Sequence, residues 1–181
     1  MSTLDTLIQR SQAFATEGFT AGLPLMPTLR TMVISCADPR VDPAHILGLK
    51  PGEAVVIRNV GGRITPGTLQ NMQLLQTIGQ VMGANPNGEF NLIILHHTDC
   101  GINRLEDRPE LLAAYFGIDK TALPAKAVSD PHASIQIDLA VLKASVPLPP
   151  SWKVTGMVYD VNTGKVEVIV PVESIQTHPS A

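Results

Sequence analysis

The sequence predicts an α/β fold: a mostly parallel central β-sheet flanked by helices and preceded by an N-terminal helical arm. Three observations predict it. Three short runs, T-M-V-I-S at 31–35, A-V-V-I-R-N at 54–59 and N-L-I-I-L-H at 91–96, are apolar at consecutive rather than alternating positions, the pattern of strands covered on both faces. Segments of helical period separate them, as crossovers between parallel strands require. The chain has 181 residues, enough to bury a core without disulfide staples, and a single domain spanning 1–181 is expected.

The elements follow in order. Residues 3–17 place Leu4, Leu7, Ile8 and Phe14 at roughly helical spacing, so an amphipathic helix opens the chain. The glycines and prolines of G-F-T-A-G-L-P-L-M-P then break it, defining an arm over 1–22. After the first strand, Asp42 precedes Pro43, which suits a first helical position, with A-H-I-L following. A longer crossover helix is predicted from Leu69, Met72, Leu75 and Ile78 at spacing three. The region 102–150 reads as helical. R-P-E-L-L-A-A-Y-F-G-I ends at a glycine, and Asp130 is placed to cap a helix that opens on Pro131 and stops at P-L-P-P. Two β-rich runs joined at Asn162-Thr163-Gly164 form a terminal hairpin.

Composition narrows the function. The formal net charge is -3 and the 13 basic residues are scattered without a run, so no nucleic-acid footprint is present and a small-molecule partner fits better. No stretch approaches the roughly 18–20 apolar residues of a membrane span, and the N-terminus lacks the basic start and apolar core of a signal peptide, so a cytoplasmic location is expected. A hydrophobic content of 44% leaves apolar surface available for a subunit interface. In a reducing compartment the two cysteines, Cys36 and Cys100, suit metal ligation, catalysis or core packing better than a disulfide.

Chemistry concentrates at the ends of two strands. S-C-A-D-P-R closes the first and supplies Cys36, Asp38 and Arg40 at alternating positions, which share one side if the backbone stays extended. H-H-T-D-C-G closes the third and supplies His97 and Cys100. Open α/β sheets bind ligands outside the carboxyl ends of their strands, where strand order reverses. Two thiolates and an imidazole suit Zn2+, and three protein ligands leave a fourth position for water or substrate, as a catalytic site requires. Asp38 has two available roles. It either accepts a hydrogen bond from the activated water while Arg40 holds it, or it takes the fourth metal position and closes the site. A guanidinium can grip it bidentately in both.

His96 points away from His97 if the strand continues and is expected to be structural. His45, His132 and His178 are read as surface or helix residues. Arg58, Asn59, Gly61 and Gly62 match no phosphate-loop pattern and are read as a structural turn at the mouth of the site. Asp99 reads first as a helix cap, with a supporting role at the site as the alternative.

C-A-D-P-R, R-N-V-G-G at 58–62 and H-T-D-C-G at 97–101 resemble, in order and spacing, the β-class carbonic anhydrases, whose pattern is C-x-D-x-R followed by H-x-x-C. V-Y-D-V-N-T-G-K-V resembles that family's final strands. The resemblance implies one Zn2+ per chain on Cys36, His97 and Cys100, with Asp38 and Arg40 as a catalytic dyad. It implies hydration of carbon dioxide to bicarbonate by a zinc-activated hydroxide, and a homodimer, or a dimer of dimers, gripped by the N-terminal arms. Relatives of this compact H-H-T-D-C-G type include carbonyl sulfide hydrolases, so carbonyl sulfide or carbon disulfide is the alternative substrate. A non-catalytic zinc or redox-regulatory protein is the third reading.

Overall fold

A computed structural model describes residues 2–85, 87–145 and 148–175; His178 and part of the P-L-P-P stop lie outside them. The predicted arm helix forms as α1 (Thr3–Glu17), opened by Ser2, whose side chain accepts from the Asp5 amide while Asp5 reaches back to the Ser2 amide. Its apolar stripe is left uncovered by the chain: Leu4, Leu7, Ile8 and Phe14 are all exposed.

The three apolar runs become β1 (Thr31–Cys36), β2 (Ala54–Asn59) and β3 (Phe90–His97), joined by β4 (Trp152–Tyr159) and β5 (Val166–Ser174) in one sheet of order β2-β1-β3-β4-β5. The first four strands are parallel and β5 is antiparallel to β4. All six residues of β1 are buried, which is why that run carries no polar alternation. From β1 the chain passes to β2 on one side and then returns to β3 on the other. The ends of β1 and β3 therefore flank the point where strand order reverses.

The crossovers are α2 (Pro43–Ile46) and α3 (Pro66–Val81), with Asp42 and Thr65 as caps. Met72 is buried, whereas Ile78 of the same predicted stripe is exposed. A spacing of three lags the 3.6-residue turn by about 60° per step, so the stripe walks off the core face. Beyond β3 lie α4 (Pro109–Phe116) and α5 (Pro131–Ser145), the latter opened by Asp130, whose Oδ1 accepts from the His132 and Ala133 amides. Gly156 of β4 lies directly beneath Ile135 of α5, and a side chain there would overlap it. Ile135, Leu139 and Leu142 join Ile34, Leu92, Ile94 and Val154 in the main core. A second cluster, formed by Leu112 and Phe116 of α4 with Ile102, packs around Cys36 and Cys100. Among the described residues no helix is long and apolar enough to cross a membrane.

Candidate metal centre

Cys36 is the last residue of β1 and His97 the last of β3; Cys100 follows three positions later, before a 3-10 turn over Gly101–Leu105. The two sulfurs lie 3.7 Å apart. One ligand atom from each of Cys36, His97 and Cys100 lies within 4.8 Å of the others, and all three residues are buried. His97 Nδ1 is 2.8 Å from the Thr98 carbonyl. A carbonyl only accepts, so Nδ1 carries the ring proton and Nε2 keeps its lone pair. That Nε2 is buried and has no hydrogen-bond partner, an arrangement that suits a nitrogen meeting a metal while its other face is fixed by a backbone carbonyl. Two sulfurs and an imidazole are a donor set that can hold zinc and leave a fourth position open.

The Cys36 sulfur also accepts from the Asp38 amide at 3.4 Å and the Gly61 amide at 3.3 Å. Hydrogen bonding from Cys100, and then from these two amides, outweighs burial and lowers the Cys36 thiol below its ordinary value. Cys100 moves the opposite way, raised by its bond to Cys36 and by burial.

Asp38 stands beside this group and is not one of its members. Extended backbone, expected through Arg40, stops earlier: the Val41 amide donates to the Asp38 carbonyl at 3.0 Å, closing a turn. Asp at the first position and Pro39 at the second favour such a turn over continued strand. The turn folds Arg40 back on Asp38, with Nε to Oδ1 at 3.0 Å and Nη2 to Oδ2 at 2.7 Å. These bonds hold the Asp38 carboxyl down at about 2, so it is ionised near neutral pH.

Asp99 is not a helix cap. Its Oδ2 accepts from Arg40 Nη1 at 2.9 Å and its carbonyl from Arg40 Nη2 at 2.9 Å. A left-handed backbone at Asp99 (φ 50) presents both oxygens to one guanidinium. Arg58 and Asn59 close β2, as the run at 54–59 predicts, and so do not belong to the turn. Arg58 reaches across to β1 and donates to the carbonyls of Cys36, Asp38 and Val41 at 2.9, 2.7 and 3.0 Å, tying down the loop that carries Asp38. An arginine directly after an apolar strand run was the available signal for this role. Gly61 and Gly62 do form a turn, over Val60–Gly62.

His96 is buried on the far side of β3, as expected, with Nδ1 2.8 Å from Ser134 Oγ and Nε2 3.2 Å from the Gly62 carbonyl. His45 and His132 are exposed helix residues. Sequence reasoning did not foresee Arg63 and Asp138, a fully buried ion pair with Nε to Oδ2 at 2.7 Å. Its signal was a carboxylate set among Ile135, Leu139 and Leu142 on the apolar stripe of α5.

Comparison with known proteins identifies this arrangement. A carbonic anhydrase family model matches residues 31–130, more than half of the chain. A β-carbonic anhydrase 1 from Mycobacterium tuberculosis is 28% identical over 173 residues, covering 94% of this chain and all of that one. The crystal structure of a carbonic anhydrase from Streptococcus mutans is similar with a TM-score of 0.70 and 31% identity, covering 93% of this chain and 98% of that one. A carbon disulfide hydrolase from an Acidianus strain is 33% identical over 102 residues, 56% of this chain and 45% of its own length. With the fold, the three-ligand group and these relatives in agreement, the chain belongs to the β-carbonic anhydrase family and is an enzyme of that kind.

Proposed function

We propose that the chain holds one zinc ion on Cys36, His97 and Cys100 and catalyses the reversible hydration of carbon dioxide to bicarbonate and a proton. The observation that carries this reading is the buried, partnerless His97 Nε2 beside two thiols. Zinc bound there supplies Lewis acidity, which lowers the pKa of water from about 15.7 towards about 7, the value established for carbonic anhydrase. Asp38, kept ionised by Arg40, accepts a hydrogen bond from the attacking water and so directs its lone pair at the substrate carbon. Arg40 is itself gripped by Asp99, so the dyad is oriented before substrate enters. Two sulfur ligands donate more charge to the metal than imidazoles would, and activity is expected to rise towards alkaline pH.

The test is stopped-flow carbon dioxide hydration from about pH 7 to 9, where a general base reveals itself, on protein with quantified zinc. Fast hydration that is lost in Asp38→Ala and in zinc-depleted Cys36→Ser supports the proposal; full zinc without hydration overturns it. The Acidianus relative supports a second reading, hydrolysis of carbon disulfide or carbonyl sulfide on the same residues. Sulfide release measured in parallel separates the two.

The uncovered stripe of α1 supports assembly into a homodimer through the arm, with loss of the dimer on deleting residues 1–22, read by analytical ultracentrifugation, as the expected result. Two free cysteines suit a reducing cytoplasm.

A further inference from the structure

Behind the metal centre lies a polar network that the proposed reaction does not touch. Arg63 and Asp138 are 1% and 0% exposed. Besides Arg63 Nε, Asp138 accepts from Arg63 Nη2 at 3.2 Å and from the Ile64 amide at 3.1 Å, and His96 Nε2 lies 3.3 Å from its Oδ2. The same His96 nitrogen is 3.2 Å from the Gly62 carbonyl; both neighbours only accept, so Nε2 carries a proton shared between them. Asp138 holds the Arg63 side chain and the Ile64 amide, His96 reaches the Gly62 carbonyl, and the His96–Asp138 contact links the two holds.

That segment continues the turn whose Gly61 amide donates to the Cys36 sulfur. The turn sits hard against the strands: Gly62 has φ +68, and a Cβ there would come within 3.0 Å of the Cys36 amide nitrogen. Burying a charge pair costs several kcal/mol in desolvation, and an apolar pair of equal volume often serves stability as well or better. A directional task accounts for its presence better than stability does.

We infer that Asp138 is a positioning residue for the metal centre: with Arg63 and His96 it holds the 61–64 segment in the one placement that brings the Gly61 amide onto the Cys36 sulfur. The inference rests on the reading of Cys36 as a metal-holding sulfur. An amide aimed at a thiolate tempers the charge it donates, so loosening the turn alters metal affinity and the acidity of the activated water.

The experiment compares the zinc-loaded full chain with its Asp138→Asn variant, reading amide hydrogen exchange by NMR. The expected result is exchange at Gly61 at least about 10-fold faster while amides of β4 keep their protection, with zinc affinity down about 10- to 100-fold, the range for lost partners of metal ligands. In cobalt-substituted protein the sulfur-to-cobalt charge-transfer band shifts. Unchanged Gly61 exchange overturns the inference, as does a uniform rise across all sheet amides, which a merely structural pair would give. If Asp138→Asn does not fold, the double variant Arg63→Met with Asp138→Leu removes both charges together and is judged by the same readout. Gly61 exchange is measurable in protein that binds no zinc or hydrates no carbon dioxide, so failure of the proposed reaction and failure of this inference give different results.

Discussion

The chain uses an arginine–carboxylate pair twice, in two very different settings. Asp38 and Arg40 are two residues apart in one turn, and the Arg40 side chain is 48% exposed. Asp138 lies on α5 and Arg63 in the connection leading to α3, 75 positions apart, and both are sealed from water. The ion-pair chemistry is similar; the surroundings decide what each pair can do. Water reaches the Arg40 side of the first, so it contributes little to stability, and its aspartate, Asp38, stands next to the Cys36 sulfur. The second is costly to break and has no access to substrate, so it can act only by holding backbone in place.

The comparison is broken most forcefully at the buried pair. Asp138→Ala leaves the Arg63 charge buried alone and is expected to cost about 3–5 kcal/mol of folding stability, measured by urea denaturation, whereas Asp38→Ala leaves the unfolding midpoint nearly unmoved. Equal losses at the two positions would erase the distinction. The buried pair also predicts a pH window. Burial raises the Asp138 carboxyl, but the His96 and Arg63 bonds and the Arg63 charge outweigh it and hold it below its ordinary value. Its stabilising contribution is therefore full above the unfolded value of about 3.9 and is lost as pH falls through the lower folded value. Urea midpoints should drop more steeply below about pH 4 in the native chain than in the Arg63→Met, Asp138→Leu variant.

At the open pair the losses move from stability to catalysis. Asp38→Ala is expected to lower kcat/KM for hydration about 100-fold or more, the lower end for removing a positioned proton acceptor. Arg40→Lys tests the fork itself: Lys offers no planar set of donors to span Asp38 and Asp99 together, and a fall of about 10-fold is expected. The smallest effect belongs to Asp99→Asn, which keeps the backbone carbonyl contact to Arg40 and should cost only a few-fold in kcat. A larger loss there than in Arg40→Lys would mean that Asp99 acts on substrate directly.

How much of this was legible beforehand follows the range of each interaction. Runs such as A-V-V-I, the caps at Asp42 and Asp130, and the Asn162-Thr163-Gly164 turn are local, and each forms as predicted. Cys36, His97 and Cys100 were legible because strand ends in an α/β sheet converge by topology. Asp99 and Arg58 were misassigned because the Arg40 that Asp99 holds lies 59 positions away and the carbonyls Arg58 holds lie up to 22 away, beyond anything periodicity records.

By itself, then, the sequence determined the strands, the helices and the donor set that meets at the ends of β1 and β3, since hydrophobic period and strand-end chemistry act over a few residues. Only the tertiary structure decided that Asp99 backs Arg40, that Arg58 ties down the loop carrying Asp38, and that Arg63, His96 and Asp138 close around one turn. Those contacts depend on which elements pack together, and packing is a property of the whole chain.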